Sequence, residues 1–139
     1  MKRVIFVFVC LLSSTVLQAQ IKPAELRSKG LNSVARCLHS YSQSAKTGSP
    51  STLVQGIGHA SEARLIFQLL QQFFPKNISK ENAESVLKIM GRLSDDIPKA
   101  FAANPDAVLQ DPGFVTFLHL STISIEDKLG SLPEVAGED

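Results

Sequence analysis

The run LIFQLLQQFF, residues 65–74, is the most apolar stretch of the chain outside its first 20 residues, and it decides the fold. At about 100° per residue, its apolar side chains cover an arc of about 200° around an α-helix. A surface helix usually carries an apolar stripe of only about 100°. We therefore expect a central helix that several other elements cover, either as part of a filled core or as the wall of an apolar cavity.

The cavity alternative predicts a specific set of lining residues. These are large apolar side chains of the central helix and of the segments expected to face it: Phe67, Leu70, Phe73, Phe74, Met90, Phe114 and Phe117. In the core alternative the same side chains pack against one another. The sequence leaves both alternatives open.

The first 19 residues are typical of a secretory signal peptide. Lys2 and Arg3 precede an apolar run over residues 4–12, and small and polar residues follow up to Ala19, where cleavage is expected. The apolar run is too short to cross a bilayer, which takes about 20 residues. The sequence therefore predicts a secreted, extracellular protein whose mature chain begins at Gln20 and contains no membrane span.

The remaining segments carry single apolar faces with helical spacing. Residues 23–45 predict a first helix, and the third helix, from Ser79 to Ile97, has the clearest i, i+3, i+4 pattern of the chain. Pro98 predicts a kink in that third helix. Gly56 and Gly58, where the apolar stripe shifts, predict either a bend or change of partner in the second helix, or a close helix approach.

Residues 113–129 combine β-branched side chains, which favour a strand, with helical spacing of apolar ones. A lone strand cannot form a sheet, so we predict a helix there, with a break near residues 121–124 left open. The fold class is therefore all-α: a small single-domain bundle of four to five helices over residues 20–129. An acidic, disordered tail is predicted for residues 130–139.

The charges of the predicted mature chain nearly cancel, which argues against nucleic acid as a partner. They are nevertheless unevenly distributed. Residues 20–93 carry ten basic and four acidic side chains, net +6, whereas residues 94–139 carry two basic and nine acidic, net −7. The two parts can complement each other within one molecule or between molecules in head-to-tail association.

Cys37 is the single cysteine that remains after the predicted cleavage. A lone cysteine in a secreted chain is either a buried thiol or half of an intermolecular disulfide, which would link a homodimer. Cys37 lies in the middle of the apolar stripe of the first helix, which favours burial.

The sequence contains none of the sequence motifs that mark common catalytic, metal or phosphate sites. It lacks a nucleophile elbow, a H-E-x-x-H pair and a glycine-rich phosphate loop, so we expect no enzyme, no cofactor and no metal site. One modification motif is present. Asn77, Ile78 and Ser79 form an N-glycosylation sequon between two predicted helices, which makes Asn77 a candidate glycosylation site.

These observations predict a secreted, non-enzymatic helical protein that acts by binding either an apolar small molecule or a protein partner. One alternative is a structural, self-associating component of an extracellular matrix, shell, silk or secretion, which the charge asymmetry and the lone cysteine would serve. The other is a secreted signalling or effector protein.

Overall fold

The computed structural model of the chain describes residues 21–135 and shows an all-α fold. Its helices are α1 (Pro23–Thr47), α2 (Pro50–Phe73), α3 (Lys80–Gly91), α4 (Ile97–Ala103), α5 (Pro105–Leu109) and α6 (Pro112–Leu129), with a π-helical stretch (Arg92–Asp96) between α3 and α4. The predicted small helical bundle is confirmed, and residues 113–129 belong to one unbroken helix. The predicted signal peptide and residues 136–139 of the predicted tail lie outside the described residues.

Two residues, Gly48 and Ser49, join α1 to α2. Gly48 adopts the left-handed conformation (φ 71°), and its N–H donates to the Ser44 carbonyl at 2.8 Å, which ends α1. Pro50 then starts α2 in the first turn, where its missing N–H costs nothing. This tight connection makes α1 and α2 an antiparallel pair.

The four long helices form a ring. Helix α1 packs along α2 and also contacts α6, and α3 contacts the same two helices. The order around the ring is therefore α1, α2, α3, α6, which places α2 diagonally opposite α6. The core at the centre of the ring is one continuous cluster of apolar side chains.

Two glycines allow α1 and α2 to approach closely. A Cβ at Gly30 of α1 would lie 3.0 Å from side-chain atoms of Ile66 and Phe67, and a Cβ at Gly56 of α2 would lie 3.3 Å from the Tyr41 ring. Each glycine thus makes room for an aromatic ring of the partner helix. Of the two alternatives for the glycines in α2, close approach is correct at Gly56, whereas Gly58 faces open space.

The buried face of α2 is continuous, so the predicted shift of its apolar stripe is wrong. The buried positions recur every three or four residues along the whole helix, with Ile66 beside Phe67: Leu53, Gly56, Ala60, Ala63, Ile66, Phe67 and Leu70. Three of these seven are glycine or alanine, which apolarity alone does not mark as core. Helices α1 and α3 and the π-helical stretch all contact α2, as expected of a helix covered by several elements, although Leu65 of its apolar arc is 56% exposed.

The π-helical stretch depends on a hydrogen bond from Tyr41. In the π register the Ile97 N–H donates to the Arg92 carbonyl, so the next carbonyl, that of Leu93, would need an N–H at position 98. Position 98 is a proline and has none. The buried Tyr41 hydroxyl donates to the Leu93 carbonyl instead, which satisfies two buried polar groups at once. The predicted kink at Pro98 stays a prediction; the structure places a change of helical register there.

Side-chain caps fix the starts of α3, α5 and α6. The Ser79 hydroxyl accepts from the Asn82 N–H at 3.1 Å, the Asn104 side chain accepts from the Ala107 N–H at 3.3 Å, and the Asp111 carboxylate accepts from the Gly113 N–H at 2.8 Å. Each cap satisfies a backbone donor at a helix start that would otherwise lack a partner.

The end of α6 is fastened by two side chains from other helices. Arg27 of α1 donates to the Leu129 carbonyl at 2.9 Å, and Asn82 of α3 donates to the Lys128 carbonyl at 3.1 Å. These carbonyls have no partners within their own helix, so the contacts hold α6 in the ring. Leu132, just beyond α6, packs against the core.

We expect Tyr41→Phe to destabilise the protein by about 1–3 kcal/mol, because it leaves the buried Leu93 carbonyl without a donor. Urea unfolding followed by circular dichroism measures the loss. Pro98→Ala restores an N–H at position 98 that can donate to the same carbonyl, so Tyr41→Phe should cost less in that background. An equal cost in both backgrounds, or a cost below about 0.5 kcal/mol in the wild type, would contradict this account.

Candidate functional site

A cleft of about 460 Å³ opens where the π-helical stretch, α4, α5 and the start of α6 meet. Small-molecule sites in proteins typically measure about 300–1,000 Å³, so the cleft is in the range of a small ligand. Most of its lining is apolar, with three charged side chains among it. The lining residues are Arg92, Asp96, Ile97, Ala100, Ala107, Val108, Asp111, Gly113, Phe114 and Phe117.

The cleft exists because prolines divide this part of the chain into short helices. Pro98, Pro105 and Pro112 recur every seven residues, and each lies in the first turn of a helix. Helices of five to seven residues have too little surface to bury a full apolar face. Helix α4 buries no side chain, and α5 buries only Leu109. The space left between these short helices and α6 is the cleft.

Phe114 joins the cleft to the core. Its ring is buried and meets the Tyr41 ring edge to face, with 5.8 Å between ring centroids. Because the Tyr41 hydroxyl also holds the Leu93 carbonyl next to Arg92, one core residue positions both the aromatic wall and the π-helical wall of the cleft. These two walls are therefore rigidly placed.

Arg92 is held at the cleft by an aromatic ring. Its guanidinium carbon lies over the Phe117 ring, 5.0 Å from the centroid, in the range of a cation–π contact. Within residues 21–135, no carboxylate lies within 4.0 Å of Arg92. Arg64, by contrast, pairs with Asp95 at 2.8 Å, and Arg27 is engaged by backbone carbonyls.

The two acidic side chains of the lining differ in their surroundings. Asp111 caps α6, so its carboxylate is committed to the Gly113 N–H and lies at the positive end of that helix. Asp96 is exposed and forms no ion pair among the described residues. Its carboxylate is therefore free to point into the solvent.

Of the seven residues predicted for a cavity lining, all but Phe73 lie in or against the one core cluster, and two of them also line the cleft. Phe114 and Phe117 line the cleft. Phe67, Leu70 and Met90 are fully buried within the core cluster, whereas Phe73 and Phe74 are half-buried at the end of α2. The repeated prolines at 98, 105 and 112 were the signal that could have located the cleft.

Cys37 is 0% exposed, and burial raises the pKa of its thiol. A raised pKa keeps the thiol protonated and unreactive at neutral pH. An intermolecular disulfide through Cys37 would require α1 to open. The fold therefore favours the buried-thiol alternative. Burial, followed by the neighbouring Cys37, likewise raises the pKa of the Tyr41 hydroxyl.

The sequon lies on the surface. Asn77 is exposed in the connection between α2 and α3, and its backbone carbonyl accepts a hydrogen bond from Arg27 at 3.5 Å. Ser79 caps α3, as described above. The side chain of Asn77 takes no part in these contacts, so a substitution there leaves them in place.

Among residues 21–135, five large apolar side chains are exposed, and all lie on α2 or α6. They are Val54 and Leu65 on α2, and Val115, Leu120 and Ile123 on α6. Because α2 and α6 are diagonal in the ring, these side chains form two separate stripes on opposite sides of the bundle. Neither stripe is part of the cleft.

No protein-family model, curated protein or solved structure matches this chain. None of the helices within residues 21–135 has the length and apolarity needed to cross a membrane. In the same residues, no three histidine, cysteine, aspartate or glutamate side chains converge in an arrangement that could hold a metal ion.

We expect the free energy of unfolding to fall as the pH rises above about 8.5. Burial keeps Cys37 and Tyr41 protonated in the folded protein, so the unfolded chain releases these protons first. Their stabilisation is complete below the ordinary pKa, about 8.5 for cysteine and about 10 for tyrosine. It is lost as the pH rises towards the raised values, at about 1.4 kcal/mol per pH unit for each group.

Urea unfolding between about pH 8 and pH 10 measures this dependence. Cys37→Ala serves as the comparison, because it removes one of the two titrating groups. Its packing cost lowers the free energy of unfolding equally at every pH and does not change the slope of that free energy against pH. The variant should lose stability less steeply than the wild type above about pH 8.5. Parallel curves would contradict the assignment of the slope to Cys37.

Proposed function

We propose that this chain is a secreted, non-enzymatic protein that binds an apolar small molecule in the cleft between the π-helical stretch, α4, α5 and α6. The observation that carries the proposal is the cleft itself, with its volume of about 460 Å³ and its mostly apolar lining. Secretion is supported by the sequence of residues 1–19, which is typical of a signal peptide.

The composition of the lining supports binding of a molecule with an apolar body. Phe114, Phe117, Ile97 and Val108 offer aromatic and branched apolar surface, and a few charged groups at the same cleft can orient a ligand. Ala100 and Ala107 are small and exposed, so the entrance between α4 and α5 is not filled by side chains.

The walls of the cleft also differ in how firmly they are held, which suits a binding site. One side is fixed to the core through Phe114, Tyr41 and the Leu93 carbonyl. The other side, α4 and α5, buries only Leu109 and can adjust to a bound molecule. A rigid wall limits the entropy lost on binding, and a weakly held wall allows entry.

We expect the purified mature chain to bind the neutral fluorophore N-phenyl-1-naphthylamine saturably, with one molecule per chain. Ala100→Trp should lower the affinity about tenfold or more, because the indole occupies the cleft. Fluorescence titration, with excitation in the absorption band of the probe, measures both affinities.

Ala102→Trp is the matched control, since Ala102 is an exposed alanine of the same helix that does not line the cleft. It should bind the probe like the wild type. Absence of saturable binding by the folded wild type, or equal losses in the two variants, would refute the proposal. Sedimentation velocity of the same samples adds a further outcome: concentration-dependent oligomers that bind no probe would favour the self-associating alternative.

We also propose that Asn77 carries an N-linked glycan. The sequon and the exposure of Asn77 support this, and so does its position in a connection between helices. Expression in a glycosylating eukaryotic cell should yield a secreted chain whose mass falls after enzymatic removal of N-glycans. Asn77→Gln should abolish the difference. A secreted wild-type chain with the mass of the bare polypeptide would contradict the assignment.

A further inference from the structure

We infer that the ligand of the cleft is an amphipathic monocarboxylate, whose apolar body lies against Phe114 and Phe117 and whose carboxylate binds the guanidinium of Arg92. This inference rests on the proposed function, because it assigns the chemical class of the molecule that the cleft takes. Three observations lead to it: the contact of Arg92 with Phe117, the lack of an ion partner for Arg92, and the placement of the two lining carboxylates.

Arg92 is a cation fixed in place at the edge of apolar surface. The contact with the Phe117 ring restrains the guanidinium, and no carboxylate of the described residues lies within 4.0 Å of it. A guanidinium in this state has free N–H donors in a planar fork, which matches the two oxygens of a carboxylate. Since the side chain is already restrained, less conformational entropy is lost when an anion binds.

The acidic residues of the lining determine which anion fits. Asp111 is committed to capping α6, where the N-terminal end of the helix offsets part of its charge. Asp96 adds a second negative charge one turn from Arg92, but it is exposed and no contact holds it in the cleft. Two carboxylates beside one guanidinium repel a phosphate dianion more strongly than a monoanion. Among anionic head groups, the arrangement therefore favours a single carboxylate over a phosphate.

The position of Arg92 also disfavours a cationic ligand. One face of the Phe117 ring is already occupied by the guanidinium of Arg92. An ammonium placed against the aromatic surface would also lie close to that like charge. Asp96 could attract it only at the exposed rim, where solvent screens the interaction.

Four ligands with the same apolar chain and different head groups test the inference: decanoate, decanol, decylamine and decyl phosphate. Displacement of N-phenyl-1-naphthylamine from the mature wild-type chain gives their affinities. We expect decanoate to bind about tenfold more tightly than decanol, and more tightly than decylamine or decyl phosphate. Raising the ionic strength should narrow the gap between decanoate and decanol, because the guanidinium is exposed.

Arg92→Gln should reduce the affinity for decanoate to that for decanol and leave the affinity for decanol unchanged. Arg92→Lys keeps the charge without the planar fork and should retain part of the preference. Lys99→Gln removes a nearby exposed cation that does not line the cleft, so it should bind all four ligands like the wild type. Circular dichroism confirms that each variant is folded.

The outcomes separate this inference from the proposed function. Saturable binding of decanoate and decanol with equal affinity, or tightest binding of decylamine or decyl phosphate, would overturn the inference and leave an apolar binding site. A preference for decanoate that survives Arg92→Gln would overturn the role of Arg92. Absence of saturable binding by all four ligands and by the fluorophore would overturn the proposed function itself.

Discussion

The hydrogen bond from the Tyr41 hydroxyl to the Leu93 carbonyl is the contact on which the rest of the structure depends. It allows a π-helical register next to Pro98, because it replaces the N–H that a proline lacks. The Tyr41 ring lies against Gly56 of α2 and meets the Phe114 ring of α6. One buried side chain thus links α1 to α2, to the π-helical stretch and to α6.

The cleft follows from the same region of the chain. Helices α4 and α5 are too short to join the ring; Leu109 is buried in the core, and Ile97, Phe101 and Val108 are partly buried against it. The four long helices therefore form a tightly packed ring, whereas α4 and α5 pack more loosely beside it. The cleft lies between the two. Arg92, in the π-helical stretch that leads to α4, contacts the Phe117 ring and supplies a cation beside apolar surface. The residues that line the cleft lie in the π-helical stretch, α4, α5 and the start of α6. Helix α2, which contains the apolar run 65–74, contributes to the core instead.

The errors of the sequence-based expectations have specific physical causes. The apolar arc of residues 65–74 suggested that α2 is covered on most sides, but Leu65 is exposed and Gly56, Ala60 and Ala63 lie in the buried face. Small residues carry little apolar surface, yet they allow the closest helix approach, so a pattern based on apolarity misplaces the interface. The cavity lining stays a prediction; at Gly30 the Phe67 ring occupies the space that the missing side chain leaves.

The sequence by itself determined the helical class, the helices over residues 23–45 and 113–129, and the burial favoured for Cys37. These properties follow from local backbone chemistry and from the spacing of apolar side chains, which neighbouring residues suffice to specify. Only the tertiary structure decided the pairing of Tyr41 with Leu93, the diagonal placement of α2 and α6, and the position of the cleft. Those features join residues that are distant in the chain, and they depend on which backbone groups lack partners after the helices pack.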